Sequence, residues 1–288
     1  MRRRMFWPFV APATALFVVF FVGPTIGVIW ISLNEWAGAG PMSWRGLKNY
    51  VTLVQDPTFQ TAFSNSMKIL VLVGGCVFLA SFALTAALRE MKGKRLARSI
   101  IFFPVLVSGI VIALVWGILF QHGGTVNSVL GNFGVEPISW LNSSNMFTMI
   151  GLGMVWINVG LYTTIILAGV DRIPIYLYEE ASLAGANAWQ RFRYVTLPLS
   201  RDVVSVAAVL WTIESIKIFE FIFAFGGTTN DMPPTSVWNS ALFVYGESFG
   251  SSAYRFGYAS ASALLMLLVF TAFVVLLRRL THREPLEF

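Results

Sequence analysis

Long apolar stretches alternate with short polar connections along the whole chain. A helix needs about 20 mostly apolar residues to cross the hydrocarbon core of a bilayer. We therefore predict an all-α integral membrane protein with six transmembrane helices, at about 6–31, 69–88, 99–120, 146–170, 203–225 and 258–277. The fifth stretch is the least apolar, because it contains Glu214, Lys217 and Glu220. Ionisable residues within a span are expected where spans line a cavity.

The composition agrees with this pattern, since 56% of the residues are hydrophobic and only 12% are charged. The net charge of +6 does not indicate nucleic-acid binding, because the basic residues form no single stripe. Instead, 15 of the 20 Lys and Arg residues lie in the termini and in the second and fourth connections. Basic excess marks the cytoplasmic side of a membrane protein. We therefore expect both termini and these two connections to be cytoplasmic.

The fourth connection contains an unusual segment, EEASLAGANAWQRFRYVTLPLS, from Glu179 to Ser200. Residues 178–183 and 188–194 favour helix, and Gly185 between them tolerates backbone angles that a side chain disfavours. The pattern therefore predicts two short helices at an angle. Pro198 suits the first turn of a new helix and disfavours a helical Leu197, which predicts that the fifth span begins here after an extended residue. By these properties alone, a helix resting on lipid headgroups and a docking site for a cytoplasmic partner are equally open.

This segment resembles the cytoplasmic signature loop of ABC-importer permease subunits. The pattern of that loop is Glu-Ala-Ala, two variable residues, Asp-Gly, about nine more residues and then Ile-x-Leu-Pro. The matching positions are Glu179, Ala181, Gly185, Leu197 and Pro198, whereas Glu180 replaces the first alanine, Ala184 the aspartate and Val195 the isoleucine. Five further segments resemble the carbohydrate-uptake, maltose-transporter-like branch: WRGLKNYVTLVQDPTFQTAFSNS, SIIFFP, ISWL, SIKIFEFIFAFGGTTNDMPPT and FGYASASALL.

The resemblance implies a permease subunit with the type I ABC-importer fold, which takes up a mono-, di- or oligosaccharide delivered by an extracytoplasmic solute-binding protein. It further implies a second, non-identical permease subunit, two ATPase subunits and a place in a bacterial or archaeal plasma membrane. The first span and an outer loop are expected in residues 1–65, and a five-helix permease core in 66–288, with the coupling loop at about 171–201. The residues expected to couple to the ATPase are Glu179, Glu180, Ala181, Gly185, Leu197 and Pro198.

The sequence contains none of the common motifs for nucleotide binding, metal binding or catalysis. There is no G-x-x-x-x-G-K-[ST] stretch for a nucleotide, and no HExxH, CxxC or G-x-S-x-G motif. We therefore expect a transport subunit that is not an enzyme and has no cofactor of its own. ATP and Mg²⁺ are expected in the partner ATPase subunits.

Candidates for the substrate pathway lie on the fourth and fifth spans, because transporter sites are usually built near the bilayer midplane. The candidates are Trp211, Glu214, Ser215 and Lys217 on the fifth span, and Asn158 and Leu161 on the fourth. Carboxylates and amides can bind sugar hydroxyls, and an indole can stack on the apolar face of a sugar ring.

Two structural alternatives compete with this interpretation. Glu214 and Lys217 can simply neutralise each other, and Asn158 can form a helix-to-helix hydrogen bond. Glycerol phosphate or another polyol ester is an alternative substrate, but Lys217 is outnumbered by Glu214 and Glu220, which favours a neutral sugar. A membrane enzyme or assembly factor with the same number of spans is a further alternative.

Overall fold

The computed structural model describes residues 2–89, 91, 93–226, 232–250 and 254–281, with side chains described from residue 8 to residue 280. Helices form almost all of its regular structure, and a two-stranded antiparallel ribbon, β1 (Asn34–Glu35) and β2 (Ser43–Trp44), follows the first long helix. The long helices are α1 (Arg2–Phe17), α2 (Gly23–Ser32), α4 (Pro57–Lys68), α5 (Gly74–Arg89), α6 (Lys94–Leu106), α7 (Gly109–Phe120), α9 (Met146–Val170), α13 (Arg201–Lys217) and α16 (Phe256–Thr281). The shorter ones are α3 (Lys48–Gln55), α8 (Thr125–Gly131), α10 (Ile175–Leu183), α11 (Ala188–Arg191), α12 (Leu197–Leu199), α14 (Glu220–Gly226) and α15 (Ser240–Tyr245).

Five helices of the described chain are long and apolar enough to cross a membrane. A sixth span is present if the bent pair Ala188–Leu199 and Arg201–Lys217, which turns by 73°, is counted as one. The helical spans are Pro8–Ser32, Pro57–Arg89, Gly109–Gly131, Met146–Val170 and Phe256–Leu280. Short π-helical turns at Val18–Val22 and Ile69–Val73 join α1 to α2 and α4 to α5. The predicted boundary after residue 65 lies within α4, so no break in the helix marks it.

The third and fifth predicted spans are interrupted, which corrects the expectation of continuous helices. The stretch at 99–120 is divided between α6 and α7 because Val107 is extended, three residues after Pro104. The stretch at 203–225 breaks at Ile218, whose ψ of 109° is extended, before α14 begins. Hydropathy is high across the break at Val107, so the apolar pattern alone could not reveal it, and the charged residues on either side of Ile218 do not by themselves indicate the end of a helix.

The expectation of an extended Leu197 is also wrong. Leu197 has helical angles, with φ −63° and ψ −45°, and its N–H donates to the carbonyl of Phe192. This bond closes the π-helical turn Phe192–Thr196, and the wider turn accommodates the ring of Pro198 within the helix. The chain therefore bends at Ser200, between α12 and α13, rather than before Pro198.

The bundle is centred on α5 and α9, which pack against each other, with α6 and α13 also against α9. A Cβ at Gly160 of α9 would collide with the backbone carbonyl of Ile101, so α6 and α9 approach closely at this point. The fully buried side chains of Ile150, Met154 and Tyr162 on α9 form part of the core. The core therefore lies between the fourth span and its neighbours.

Polar side chains join the elements at the end of the bundle that is predicted to be extracytoplasmic. Asp56 caps α4 by accepting from the N–H of Thr58, and its other oxygen accepts from the Tyr258 hydroxyl at 2.8 Å. Asn65 donates to the carbonyls of Ser236 and Trp238 at 2.8 and 2.9 Å. These bonds fix the start of α16 and the segment before α15 against α4.

We expect Gly160→Val to destabilise the protein strongly, because the added side chain has no room between α6 and α9. Overpacking of a core typically costs about 1–3 kcal/mol. The matched control is Gly75→Val in α5, where a Cβ meets nothing within 4 Å. Thermal unfolding of the detergent-solubilised variants measures the difference. Equal midpoints for the two variants would show that the close crossing is not required.

Candidate coupling segment and substrate pathway

The coupling segment, residues 171–201, folds into the two short helices that the sequence predicts. α10 ends at Leu183, and Gly185 has φ +80°, the left-handed conformation that favours glycine. The N–H of Ala186 donates back to the carbonyl of Ala181 at 2.9 Å, which closes the turn. Asn187 and Gln190 then form a reciprocal capping box at the start of α11. The tip of the segment is therefore held by local hydrogen bonds.

Aromatic and arginine side chains hold the coupling segment against the end of α5. The Arg89 guanidinium lies over the Tyr178 ring, 3.4 Å from its centre, and the Tyr178 hydroxyl bonds to Thr196 at 2.9 Å. The Phe192 ring packs edge-on against Phe82, with centroids 5.6 Å apart. A cation over an aromatic face is attractive by about 0.5–2 kcal/mol. The segment is thus attached to the second span through both of its short helices.

The predicted coupling residues lie at two ends of this segment. Glu179, Glu180 and Gly185 are exposed at the tip, next to Leu183, whose side chain is 89% exposed. Neither glutamate forms an ion pair within the described part of the chain. Ala181 is half-buried on the inner side of α10. The tip therefore presents an apolar side chain and two unpaired carboxylates.

Leu197 and Pro198 lie away from the tip, where the segment joins the fifth span. Both side chains are half-buried, and Ser200, at the bend that follows, is buried. The run Ala188–Leu199 is helical throughout, so one helix extends from the turn after the tip to the bend at Ser200.

Trp211 and Ser215 on the fifth span are turned into the core. The Trp211 side chain is 3% exposed, and its indole N–H donates to the carbonyl of Leu70 at 2.9 Å. The ring packs edge-on against Tyr162. The Ser215 hydroxyl donates to the carbonyl of Thr212. Both side chains thus have partners within the chain.

Glu214 and Lys217, by contrast, are exposed, and their charged atoms lie 3.1 Å apart. The pair foreseen as a structural alternative is therefore formed. An exposed pair of this kind contributes about 0–1 kcal/mol in water, so both groups are available to a further partner.

Asn158 and Leu161 on the fourth span are half-buried. Asn158 donates to the carbonyl of Met154 at 2.8 Å, within its own helix. Among the described residues, the helix-to-helix bond foreseen as its alternative role is therefore not formed. The carbonyl oxygen of the Asn158 amide makes no contact among the hydrogen bonds of the described chain, so it can accept from a ligand.

Sequence reasoning missed the break at Ile218 and the residue that supports it. Asn239, fully buried, donates to the carbonyl of Ile218 and accepts from the N–H of Leu242 at 3.1 Å. Asn239 therefore caps α15 and also provides a hydrogen-bond donor for the carbonyl at the break of the fifth span. The available signal was an asparagine directly before the helix-forming run SALFVY. Glu220, which begins α14 just beyond the break, is exposed.

A second polar cluster lies at the start of α16. The carboxylate of Glu247, 9% exposed, is paired with Arg255, which also lies over the Tyr258 ring, 4.7 Å from its centre. Burial raises the pKa of the Glu247 carboxyl, although the nearby Arg255 opposes the shift. No group of three or more His, Cys, Asp and Glu side chains in the described residues could hold a metal ion.

Comparison with known proteins identifies the class. Residues 79–284 match the family described as the binding-protein-dependent transport system inner membrane component. Because the match covers well over half of the chain, the protein belongs to this family, and the resemblance seen in its sequence is confirmed. The family consists of transport subunits located in the inner membrane.

Similar proteins extend over nearly the whole chain. An osmoprotective compounds uptake permease of Synechocystis sp. is 27% identical and covers 97% of this chain and 100% of its own. The trehalose/maltose transport system permease MalF of Thermococcus litoralis is 29% identical, covering 92% and 90%. A chain of a bacterial alginate ABC transporter, crystallised with an alginate pentasaccharide-bound periplasmic protein, is 21% identical with a TM-score of 0.81, covering 98% and 95%. At that identity the structural likeness shows the fold alone, which is that of an ABC-importer permease.

Asn239→Ala is expected to destabilise the protein, because the carbonyl of Ile218, at the break of the fifth span, loses its hydrogen-bond partner. Such a loss costs about 1–3 kcal/mol, and each kcal/mol lowers Tm by about 2–4 °C in domains of 150–250 residues. The matched control is Asn187→Ala. Asn187 is an exposed cap of α11 and, unlike Asn239, does not connect its helix to another segment. Tryptophan fluorescence during thermal unfolding compares the two. A shift for Asn239→Ala no larger than that of the control would contradict the role of this residue.

Proposed function

We propose that this protein is the permease subunit of an ATP-driven importer that takes up a sugar delivered by an extracytoplasmic binding protein. The observation that carries the proposal is the coupling segment, a hydrogen-bonded tip followed by the helix Ala188–Leu199, which ends at the base of the fifth span. Membership of the binding-protein-dependent family supports it. The carbohydrates named for the trehalose/maltose permease and for the alginate transporter support the substrate class.

The proposal places both termini and the coupling segment in the cytoplasm, following the distribution of Lys and Arg. ATP and Mg²⁺ are bound by two partner ATPase subunits, which receive the tip around Leu183 and Gly185. A second, non-identical permease completes the pathway. No residue in the most apolar part of the first span, Pro8–Ser32, is buried against the rest of the chain. This exposure supports contact with lipid or with that second permease.

Coupling follows from the continuity of the segment. When the ATPase subunits close, they displace the tip, and the helix Ala188–Leu199 carries the movement to the bend at Ser200. α13 then moves as a unit between this bend and the break at Ile218. The break thus lies at the far end of a helix whose base is driven by the ATPase.

The substrate pathway is proposed along the exposed face near the break, with Glu214 and Lys217 as polar contacts and with Asn158 and Leu161 on the neighbouring span. Trp211 and Ser215 shape this region from within the core. Unwound backbone and polar side chains inside a span are typical of transporter binding sites. Glu214 and Glu220 outnumber Lys217, which favours a neutral sugar over glycerol phosphate or another polyol ester. The family match counts against a membrane enzyme or assembly factor.

Gly185→Val is expected to weaken ATPase docking, because a β-branched residue disfavours φ +80° and displaces the tip. Substrate-stimulated ATP hydrolysis by the reconstituted complex should fall by at least about tenfold, the equivalent of about 1.4 kcal/mol. Gly134→Val is the matched control, since Gly134 has φ +78° and equally open surroundings outside the coupling segment. Unchanged hydrolysis by a folded Gly185→Val complex would refute the docking role.

Glu214→Gln is expected to reduce uptake of the sugar into vesicles by about tenfold, because an amide replaces a charged acceptor of hydroxyl protons. Assembly with the partner subunits should be unaffected, since the side chain is exposed. Asp202→Asn, an exposed acidic residue at the other end of α13, is the control. If the Glu214→Gln variant takes up as much sugar as the control variant, Glu214 is not part of the substrate pathway.

A further inference from the structure

An open cleft of about 870 Å³ lies between the coupling segment and the end of the second span. Its basic walls are Arg89, the last residue of α5, and Arg191, the last residue of α11. Phe82, seven residues before Arg89 on α5, and Val170, the last residue of α9, supply apolar walls. The cleft therefore has both charged and apolar walls.

Both arginines retain donors for an anion. Arg89 is stacked on Tyr178 through the face of its guanidinium. The N–H groups lie in the plane of the guanidinium, so stacking does not prevent them from donating to an anion. Arg191 donates from one nitrogen to the Ser182 hydroxyl at 2.7 Å, and a guanidinium has five donors. Neither arginine forms an ion pair with a carboxylate among the described residues. Glu179 also lines the cleft, so its described charges are two positive and one negative.

A buried hydroxyl points to a ligand as well. Thr85, one turn before Arg89 on α5, lines the cleft and is 2% exposed. Its oxygen has no hydrogen-bond partner in the described chain. A buried polar atom without a partner destabilises the folded protein, and a bound acceptor or donor would relieve this cost.

The cleft follows the last two turns of α5, where the second span ends. Phe82 lies seven residues before Arg89, which is roughly 10 Å along a helix. Arg89 ends the span Pro57–Arg89 and so lies at the level of the headgroups, while Phe82 lies at the level of the acyl chains. Basic pockets between spans are known to bind anionic headgroups.

We propose that this cleft binds one anionic phospholipid from the leaflet that contains Arg89. Its phosphate lies between Arg89 and Arg191, its glycerol region reaches Thr85 and Val170, and an acyl chain follows Phe82. The lipid fills the space behind the coupling segment and stabilises its position against the second span. This binding is independent of ATP hydrolysis and of the transported substrate.

Native mass spectrometry of the full-length protein, titrated with phosphatidylglycerol or phosphatidylcholine, tests the proposal. The wild type should retain one phosphatidylglycerol in preference to phosphatidylcholine. The double variant Arg89→Gln/Arg191→Gln should weaken that retention by at least about tenfold, because two charge-assisted bonds are lost. The control Arg193→Gln/Arg201→Gln removes two exposed arginines outside the cleft and should behave as the wild type.

The isosteric variant Thr85→Val preserves the shape of the wall and should weaken retention several-fold while the protein stays folded. Equal retention by both double variants would overturn the proposal. Displacement of phosphatidylglycerol by millimolar inorganic phosphate would overturn it in favour of a soluble phosphate compound. Loss of ATPase association in the Arg89→Gln/Arg191→Gln variant, with lipid retention unchanged, would instead assign the arginines to the ATPase interface.

Discussion

Backbone groups inside a bilayer have no water to bond, so every interruption of a helix must be satisfied by the protein itself. The fifth span shows how this constraint organises the structure. Its break exposes the carbonyl of Ile218, and the side chain of Asn239, from a distant segment, donates to it. Nearby, the Trp211 indole donates to the carbonyl of Leu70 within a π-helical turn of the second span. Two side-chain donors thus make irregular backbone stable at membrane depth.

Between its bend and its break, the fifth span contains one uninterrupted helix. α13 spans Arg201 to Lys217, about 25 Å at 1.5 Å per residue. At one end it follows the bend at Ser200, and at the other it meets the break at Ile218. The exposed Glu214 and Lys217 lie in its last turn. A single rigid helix therefore connects the coupling segment to the proposed pathway.

The sequence predicted those features that depend on local chemistry. The glycine at 185 has the positive φ that its position between two helix-forming runs indicated. The fourth and sixth spans lie where the apolar pattern placed them, because long helices need little beyond hydropathy. The pairing of Glu214 with Lys217 followed from their spacing of three.

Features that depend on tertiary contacts were not visible in the sequence. The sequence made Trp211 a candidate for the substrate pathway, but only packing against Tyr162 and the bond to Leu70 determine that its ring is buried. The helical Leu197 depends on a π-helical turn, which residue-by-residue propensities do not predict.

The central claim is that the coupling segment docks on an ATPase and so drives the fifth span. The most direct measurement is to tag the protein in its native host, extract it gently in detergent and identify the copurifying proteins by mass spectrometry. The account predicts a P-loop ATPase, a second multi-span permease and a solute-binding protein. Recovery of the chain alone, or with unrelated partners, while a control complex survives the same extraction, would contradict it.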